Sequence, residues 1–361
     1  LKRDFHNIKS IIDKHRLSWD YICYTKNPPV ISTLIDIYKL KRKAKTIIKT
    51  KKIDIVHCRS YISAFVAMYL KKHYDTKFLF DMRAFYPEER VDGNIWNQQY
   101  FIYRKIYRYF KKKEKQFFEK ADKIVSLTFA GKKIITRHFS VNPEKIEIIP
   151  CCADENLFSR QHIKPQKKVD FQKKLNLTDK ELVISYLGST GTWYMLDEMF
   201  SFFKQLEKKY QAAFVFYTKD NPETIEKAAI KNKVSLNSIR IMPAKREDLP
   251  ELLSLSQLSI FFIKPVFSKK SSSPTKMAEV MNMGIPVITN SGVGDTDMLA
   301  ENLKGVFLVK NFSEKEYNRI IELIPQIMAT SAKEIRNSAK QYFSLQNGIN
   351  NYAKIYSELA G

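Results

Sequence analysis

Short runs of β-branched and aromatic residues alternate with longer stretches of helical periodicity along almost the whole chain. That alternation predicts βα units around parallel sheets. In the first half the runs that read as strands are residues 19–24, 53–57, 77–82, 123–128 and 146–150. In the second half they are 182–187, 213–218, 239–242, 258–263, 285–289 and 306–309. Helical patterns lie between them, notably over 60–72, 96–119, 195–209, 274–283 and 314–327, and a last one over 345–359 follows the final strand. The expectation is an α/β chain of two doubly wound domains, residues 1–160 and 175–340, with a C-terminal helix in 341–361. The polar, weakly periodic stretch 159–174 reads as the linker. The opening is unusual: a helical pattern over 5–15 precedes the first strand, whereas a doubly wound domain normally begins with a strand and a glycine-rich turn. With 10 glycines in 361 residues and no opening G-x-G, a piece of the first domain is expected to precede Leu1.

Composition narrows the class. Apolar residues are 44% and charged residues 28% of the chain, an ordinary globular balance that excludes wholesale disorder. The longest nearly apolar stretch, 252–263, is well short of the roughly 20 residues that cross a bilayer. The first residues carry no secretory apolar region. Cys23, Cys58, Cys151 and Cys152 have no C-x-x-C spacing, and a vicinal pair closes a normal bridge with difficulty, so a reducing cytoplasm is the expected compartment. Charge adds the strongest bias: 62 Lys and Arg stand against 38 Asp and Glu, net +24, and residues 1–160 hold 34 of the bases with 17 of the acids. Nucleic acid, anionic lipid and phosphorylated small molecules each satisfy that asymmetry, and so does a solvated basic face.

Four segments could carry chemistry. In Ser271-Ser-Ser-Pro-Thr-Lys-Met-Ala-Glu279, Ser273 reads as an N-cap, Pro274 as the first helical residue and Gly284 as the stop. A helix starting there, at the carboxyl end of a strand, points the free amides of Thr275 and Lys276 and its dipole at an anion, with the Lys276 ammonium adding charge. Glu279, more than a turn deeper, would meet a ribose diol. The plainer reading is a capped helix with a solvent-facing glutamate. In Leu187-Gly-Ser-Thr-Gly-Thr192, Gly188 allows close backbone approach and the hydroxyls of Ser189, Thr190 and Thr192 can donate to phosphate; an ordinary strand-to-helix turn has the same look. In Phe80-Asp-Met-Arg-Ala-Phe-Tyr-Pro-Glu-Glu-Arg90 and His57-Cys-Arg59, charges mix with aromatics after strands, either as a cleft wall or as a surface ion-pair network. Walker A, G-x-S-x-G and H-E-x-x-H patterns are all lacking, which removes P-loop NTPase, serine hydrolase and zincin readings.

With Asp54-Ile-Val-His-Cys-Arg-Ser60, Ala121-Asp-Lys-Ile-Val-Ser-Leu-Thr128, Ile146-Glu-Ile-Ile-Pro-Cys-Cys-Ala-Asp154, Tyr186-Leu-Gly-Ser189, Ser273-Pro-Thr-Lys-Met-Ala-Glu279 and Gly284-Ile-Pro-Val-Ile288 in this order, the chain resembles the retaining glycosyltransferases of family 4, also called group 1. The resemblance implies the GT-B architecture: two Rossmann-like domains facing a cleft, a nucleotide-sugar held mainly by the second, an acceptor by the first, and a C-terminal helix crossing back. It also implies front-face displacement without a protein nucleophile. The sequence departs from the family in places. Of the usual two glutamates eight residues apart, Glu279 matches the second and Ser271 stands for the first. Ser189 and its neighbours replace the common Arg and Lys of the diphosphate loop, and Arg83 stands where a histidine is often found.

The expected activity is transfer of a sugar from a nucleoside diphosphate sugar to a hydroxyl acceptor, a glycan or lipid-linked one, in cell-surface glycan or polysaccharide synthesis, with no cofactor or metal. Gly188, Ser189, Thr190, Lys264, Ser273, Thr275, Lys276 and Glu279 are the candidate donor ligands. His57 and Arg59 are candidates for the acceptor cleft, and Arg83 and Glu88 for orienting the acceptor. The alternatives are a sugar-nucleotide epimerase of the same fold and a basic nucleic-acid-binding protein. Between residues 98 and 120, eight bases and two acids are interleaved with Tyr100, Phe101, Tyr103, Tyr107, Tyr109, Phe110, Phe117 and Phe118, and residues 39–52 add eight bases and no acid. Peripheral docking on an anionic inner membrane face is the corresponding expectation.

Overall fold

The computed structural model describes residues 8–361 apart from 10, 16 and 29. Its first sheet has four strands, β1 (Ile55–Arg59), β2 (Lys77–Asp81), β3 (Lys123–Ser126) and β4 (Ile146–Ile148), adjacent in that order. The second has six: β5 (Leu182–Leu187), β6 (Ala212–Tyr217), β7 (Ile239–Met242), β8 (Leu258–Ile260), β9 (Val287–Asn290) and β10 (Val306–Val309), in the order β10-β9-β8-β5-β6-β7. Every pairing between these strands is parallel. Parallel strands are joined by crossover helices that cover both faces, so central strands must be apolar along their length. All six residues of β5 and all six of β6 are buried. From β5 the chain adds β6 and β7 on one side and β8 to β10 on the other. Neighbouring connections therefore part between β5 and β8, which opens a crevice at their carboxyl ends.

The expected strands form, with one exception. Residues 19–24 are irregular, and Tyr24 is exposed. An alternating run becomes a strand only where a sheet edge accepts it, and among the described residues β1 pairs only with β2. The segment is instead tied to the helix Ile31–Thr50 through Asp36, whose carboxylate accepts from the Thr25 N–H (3.1 Å) and hydroxyl (2.8 Å). Of the helix expected over 5–15, residues 8, 9 and 11–14 are helical, while 5–7 and 10 lie outside the described residues. The stretch 159–174 is more ordered than a linker: Arg160–His162 is a 3-10 turn and Pro165–Lys174 a helix. That helix buries no residue, so it needs no apolar stripe and shows none. The pattern over 314–327 splits into Glu314–Glu322 and Ile324–Ala329, because Pro325 cannot donate to a continuing helix. In the helix Phe101–Lys120, Phe110, Phe117 and Phe118 are buried. They are core residues, which removes them from any membrane face or nucleic-acid platform.

The last helix, Leu345–Ala360, returns to the first sheet. Its Ile355 and Leu359 share a core with Leu79, Val125 and Ile149, and its Tyr352 hydroxyl donates to Asp81 Oδ2 at 3.2 Å. Polar contacts join the two halves elsewhere. Asp295, 7% exposed, accepts from the Phe129 N–H (2.8 Å), the Ala130 N–H (2.9 Å) and the Tyr342 hydroxyl (2.6 Å). It thereby satisfies orphan donors at the positive end of the helix Phe129–Phe139. Asp295→Ala strips those donors of a charged acceptor and is expected to cost about 1.5–3 kcal/mol. Denaturant titration checks this; an unchanged midpoint would rule out a structural role for the carboxylate.

Candidate active site

The crevice between β5 and β8 holds a cleft of about 540 Å³, lined by Gly188, Ser189, Tyr194, Asp220, Arg246, Thr275, Lys276 and Glu279 among others. Gly188 ends β5 with φ +101°, a backbone conformation that favours glycine, and its N–H is bound by the Tyr217 carbonyl at 2.9 Å. Across the crevice the helix Thr275–Asn282 follows β8 and the 3-10 segment Phe267–Ser271, and Gly284 (φ +69°) turns the chain out of it. A side chain on Gly284 would place its Cβ 2.6 Å from the Ala332 carbonyl oxygen, so the stop is also a packing requirement.

The helix start differs from the expected cap. Pro274 occupies the cap position, no side chain caps the amides, and the Ser273 hydroxyl instead accepts from the Cys151 N–H at 3.1 Å. Ser273 is thus a link between the halves rather than a donor ligand. Ser271, which stands for the family's first glutamate, is fully buried. Its hydroxyl accepts from the Phe85 N–H at 3.2 Å, and a Cβ at Gly131 would lie 3.2 Å from its own. A glutamate has no room there.

Lys276 is 9% exposed, with Nζ 2.8 Å from the Tyr186 hydroxyl, 4.0 Å from the centre of the Tyr186 ring and 3.6 Å from that of Tyr194. Burial drives its pKa well below the usual lysine range, against the pull of Asp220 and Glu279. Glu279, 6% exposed, accepts from Arg246 Nη1 at 2.8 Å. Burial raises its pKa, and Arg246 and Lys276 oppose that rise. Asp220 accepts from the Ser189 hydroxyl (3.1 Å) and from the Thr190 hydroxyl (2.9 Å) and N–H. Burial works to raise its pKa, but the hydrogen bonds from Thr190 and Ser189 outweigh it and hold the carboxyl below the usual range. Two of the three loop hydroxyls expected to meet a phosphate, Ser189 and Thr190, are therefore already bonded to a carboxylate.

The remaining candidates separate. Lys264 is exposed and does not line the cleft; its N–H binds the Trp193 carbonyl at 2.9 Å. Arg83 has φ +65°, in a tight turn closed by the Ala84 N–H on the Met82 carbonyl (2.8 Å), and its Nη2 lies 3.6 Å from Cys151 Sγ. A strained arginine is thus held against the residue that binds Ser273, just before the Thr275 helix. His57 is engaged elsewhere: Nδ1 is 2.7 Å from the Tyr356 hydroxyl of the terminal helix and Nε2 is 3.9 Å from Asp81 Oδ2. Arg59 ends β1 with its side chain exposed. Glu88 is withdrawn into the first half, accepting from Lys111 Nζ (2.6 Å) and the Tyr107 hydroxyl (3.1 Å). That pairing explains its mixed-charge surroundings as packing and leaves it without an orienting role. Its neighbours Glu89 and Asp92 face the second half, binding Lys269 Nζ (2.7 Å) and the Ser268 N–H (2.9 Å).

Sequence reasoning missed Asp220, Arg246, Tyr186 and Tyr194. Asp220 and Arg246 follow the ends of β6 and β7, so the rule that ligands gather at carboxyl strand ends was the available signal. The aromatic cage around Lys276 gave no local signal, since Tyr186 and Lys276 are 90 residues apart. Among the described residues no group of three or more His, Cys, Asp or Glu converges as metal ligands would.

A sequence model described as Glycosyltransferase Family 4 matches residues 12–157, and one described as Glycosyl transferases group 1 matches residues 167–342. No curated protein sequence matches the chain. Among solved structures, a glycosyltransferase from Rickettsia africae is similar at TM-score 0.69 and 17% identity, covering 97% of this chain and 87% of that one. Anabaena Alr3699/HepE in complex with UDP-glucose is similar at TM-score 0.71 and 14% identity, covering 97% and 88%. Sucrose-phosphate synthase from Thermosynechococcus elongatus gives TM-score 0.72 and 16% identity over 92% and 80%.

Proposed function

The chain belongs to the GT-B glycosyltransferases that join a family 4 first part to a group 1 second part, and from that membership we propose that it moves a sugar from a nucleoside diphosphate sugar to a hydroxyl acceptor with retention. The carrying observation is the convergence of Gly188, Lys276 and Glu279, from two sides of one crevice, on one cleft. The bound UDP-glucose of the Anabaena neighbour supports a donor of this class. As the bond from the anomeric carbon to the diphosphate breaks, charge grows on the leaving oxygens. Fixed donors are most effective there, because they need no reorganisation. The uncapped amides of Thr275 and Lys276, and the Lys276 ammonium once protonated, supply them, while Glu279 takes the ribose. Arg83 orients the acceptor from the first half. Calorimetry with UDP, GDP and ADP tests the site, and the anomeric configuration of a transferred sugar, read by NMR, tests retention. Binding of none of the three would remove the proposal.

We further place the enzyme at an anionic membrane face. No helix among the described residues is long and apolar enough to cross a membrane. Tyr100, Phe101, Ile102 and Tyr109 are exposed on or beside the basic helix Phe101–Lys120, and each base near such a surface is worth about 1 kcal/mol. Cosedimentation with anionic vesicles at low salt is expected, with release as salt rises. Binding indifferent to salt, or none, contradicts it.

A further inference from the structure

The first half carries a second cavity, of about 600 Å³, remote in character from the donor cleft. Its wall is hydrocarbon and aromatic: Leu34 and Ile37 from the helix Ile31–Thr50, Phe65, Trp96, Ile106 and Phe110. Among the described residues its lining holds the cations Lys26, Arg90 and Lys105 and no acid. Arg90 lies over the Tyr86 ring at 4.7 Å, its Nε is buried without a hydrogen-bond partner, and among the described residues it forms no ion pair. Lys105 lies over Phe101 at 4.4 Å. An apolar slot with a cationic rim is complementary to a hydrocarbon chain that carries an anionic group such as a phosphate.

Position ties this slot to the chemistry. The helix Tyr86–Asp92 turns Tyr86 and Arg90 into the slot and Glu89 and Asp92 onto Lys269 and Ser268 of the second half. Just beyond it, Gly93 packs so close to Trp193 that a Cβ would lie 3.0 Å from the indole, while Ile95 and Trp96, two and three residues on, line the slot. At most about 3.5 Å per residue separates such positions along a chain. The slot therefore shares the stretch 86–96 with the contacts to Lys269, Ser268 and Trp193 of the second half.

We propose that this slot seats the hydrocarbon chain of a phospholipid acceptor, with Arg90 and Lys105 on its phosphodiester and the hydroxyl that takes the sugar, on the head group beyond that phosphate, directed to the donor cleft. The proposal rests on the glycosyltransferase reading and specifies its acceptor.

The test is calorimetric titration of the whole chain with dodecyl phosphate below its micellar concentration, with inorganic phosphate, and with UDP. Saturable binding of dodecyl phosphate, at least about tenfold tighter than inorganic phosphate, is expected. Leu34→Glu, at an exposed position of the rim, and Thr33→Trp, which fills the slot, should each weaken dodecyl phosphate about tenfold or more and leave UDP affinity unchanged. Equal binding of both phosphates, or dodecyl phosphate binding that neither variant alters, overturns the slot. So does adsorption to anionic vesicles without binding of the single lipid, because that is surface attraction alone. UDP binding that persists in those cases shows that the donor reading survives. Loss of UDP binding with intact dodecyl phosphate binding shows the reverse.

Discussion

Glu279→Ala should weaken nucleoside and nucleoside diphosphate binding alike, by about tenfold to a hundredfold. The carboxylate lies more than one turn inside the Thr275–Asn282 helix, 6% exposed, with Oε1 held by Arg246. It reaches the cleft beyond the amides that would meet phosphate, so its partner is the sugar of the nucleoside. Hydrogen bonds to an ionised group are worth about 1.5–3 kcal/mol, which sets the range. The loss should not come from unfolding. Arg246 is 58% exposed, so releasing it costs little. Acidity should imitate the substitution: burial raises the Glu279 pKa, the acid form cannot accept as a carboxylate does, and nucleoside affinity should fall as pH drops through that raised pKa. Titration calorimetry of the nucleoside and its diphosphate at several pH values reads both effects. Unchanged affinity in a folded variant would place the nucleoside elsewhere.

The sheets were legible because burial on both faces writes itself as continuous apolar runs. Residues 182–187, 239–242 and 306–309 have as strands the same bounds the pattern gives. Residues 19–24 carry a similar run and do not pair, since strand formation also needs a partner edge that no local pattern records. The site was legible to the same extent. Gly188, Lys276 and Glu279 sit at strand ends with recognisable turn and helix signals, and they line one cleft. What local sequence does not hold is the pairing of distant groups. Ser189 and Thr190 look like phosphate donors until Asp220, 30 residues on, accepts from both. Ser273 looks like a cap until the first half supplies Cys151. Glu88 looks like a cleft residue until Lys111 takes it inward. Each misreading assigned a polar group to solvent or ligand where the fold had a protein partner for it.

Lys276 carries the other large expected effect, and its environment separates it from Glu279. Its ammonium sits between the rings of Tyr186 and Tyr194, 2.8 Å from the Tyr186 hydroxyl and beside Gly188, whose missing side chain leaves the approach open; a Cβ there would lie 3.5 Å from Nζ. Burial favours the neutral amine, so the pKa is depressed. A diphosphate entering the cleft reverses that preference, because the anion adds to the pull of Asp220 and Glu279, which burial otherwise outweighs. Binding should therefore take up a proton at pH values above the depressed pKa, and diphosphate affinity should decline as pH rises through that region. Lys276→Met keeps an unbranched stem in the aromatic cage and removes the charge. Nucleoside affinity should stay within about twofold of the parent, while diphosphate affinity falls about tenfold or more and loses its proton uptake. Calorimetry in buffers of different ionisation enthalpy measures that uptake directly. Equal losses for nucleoside and diphosphate would mean that the cage is structural, and proton uptake persisting in Lys276→Met would assign it to another group.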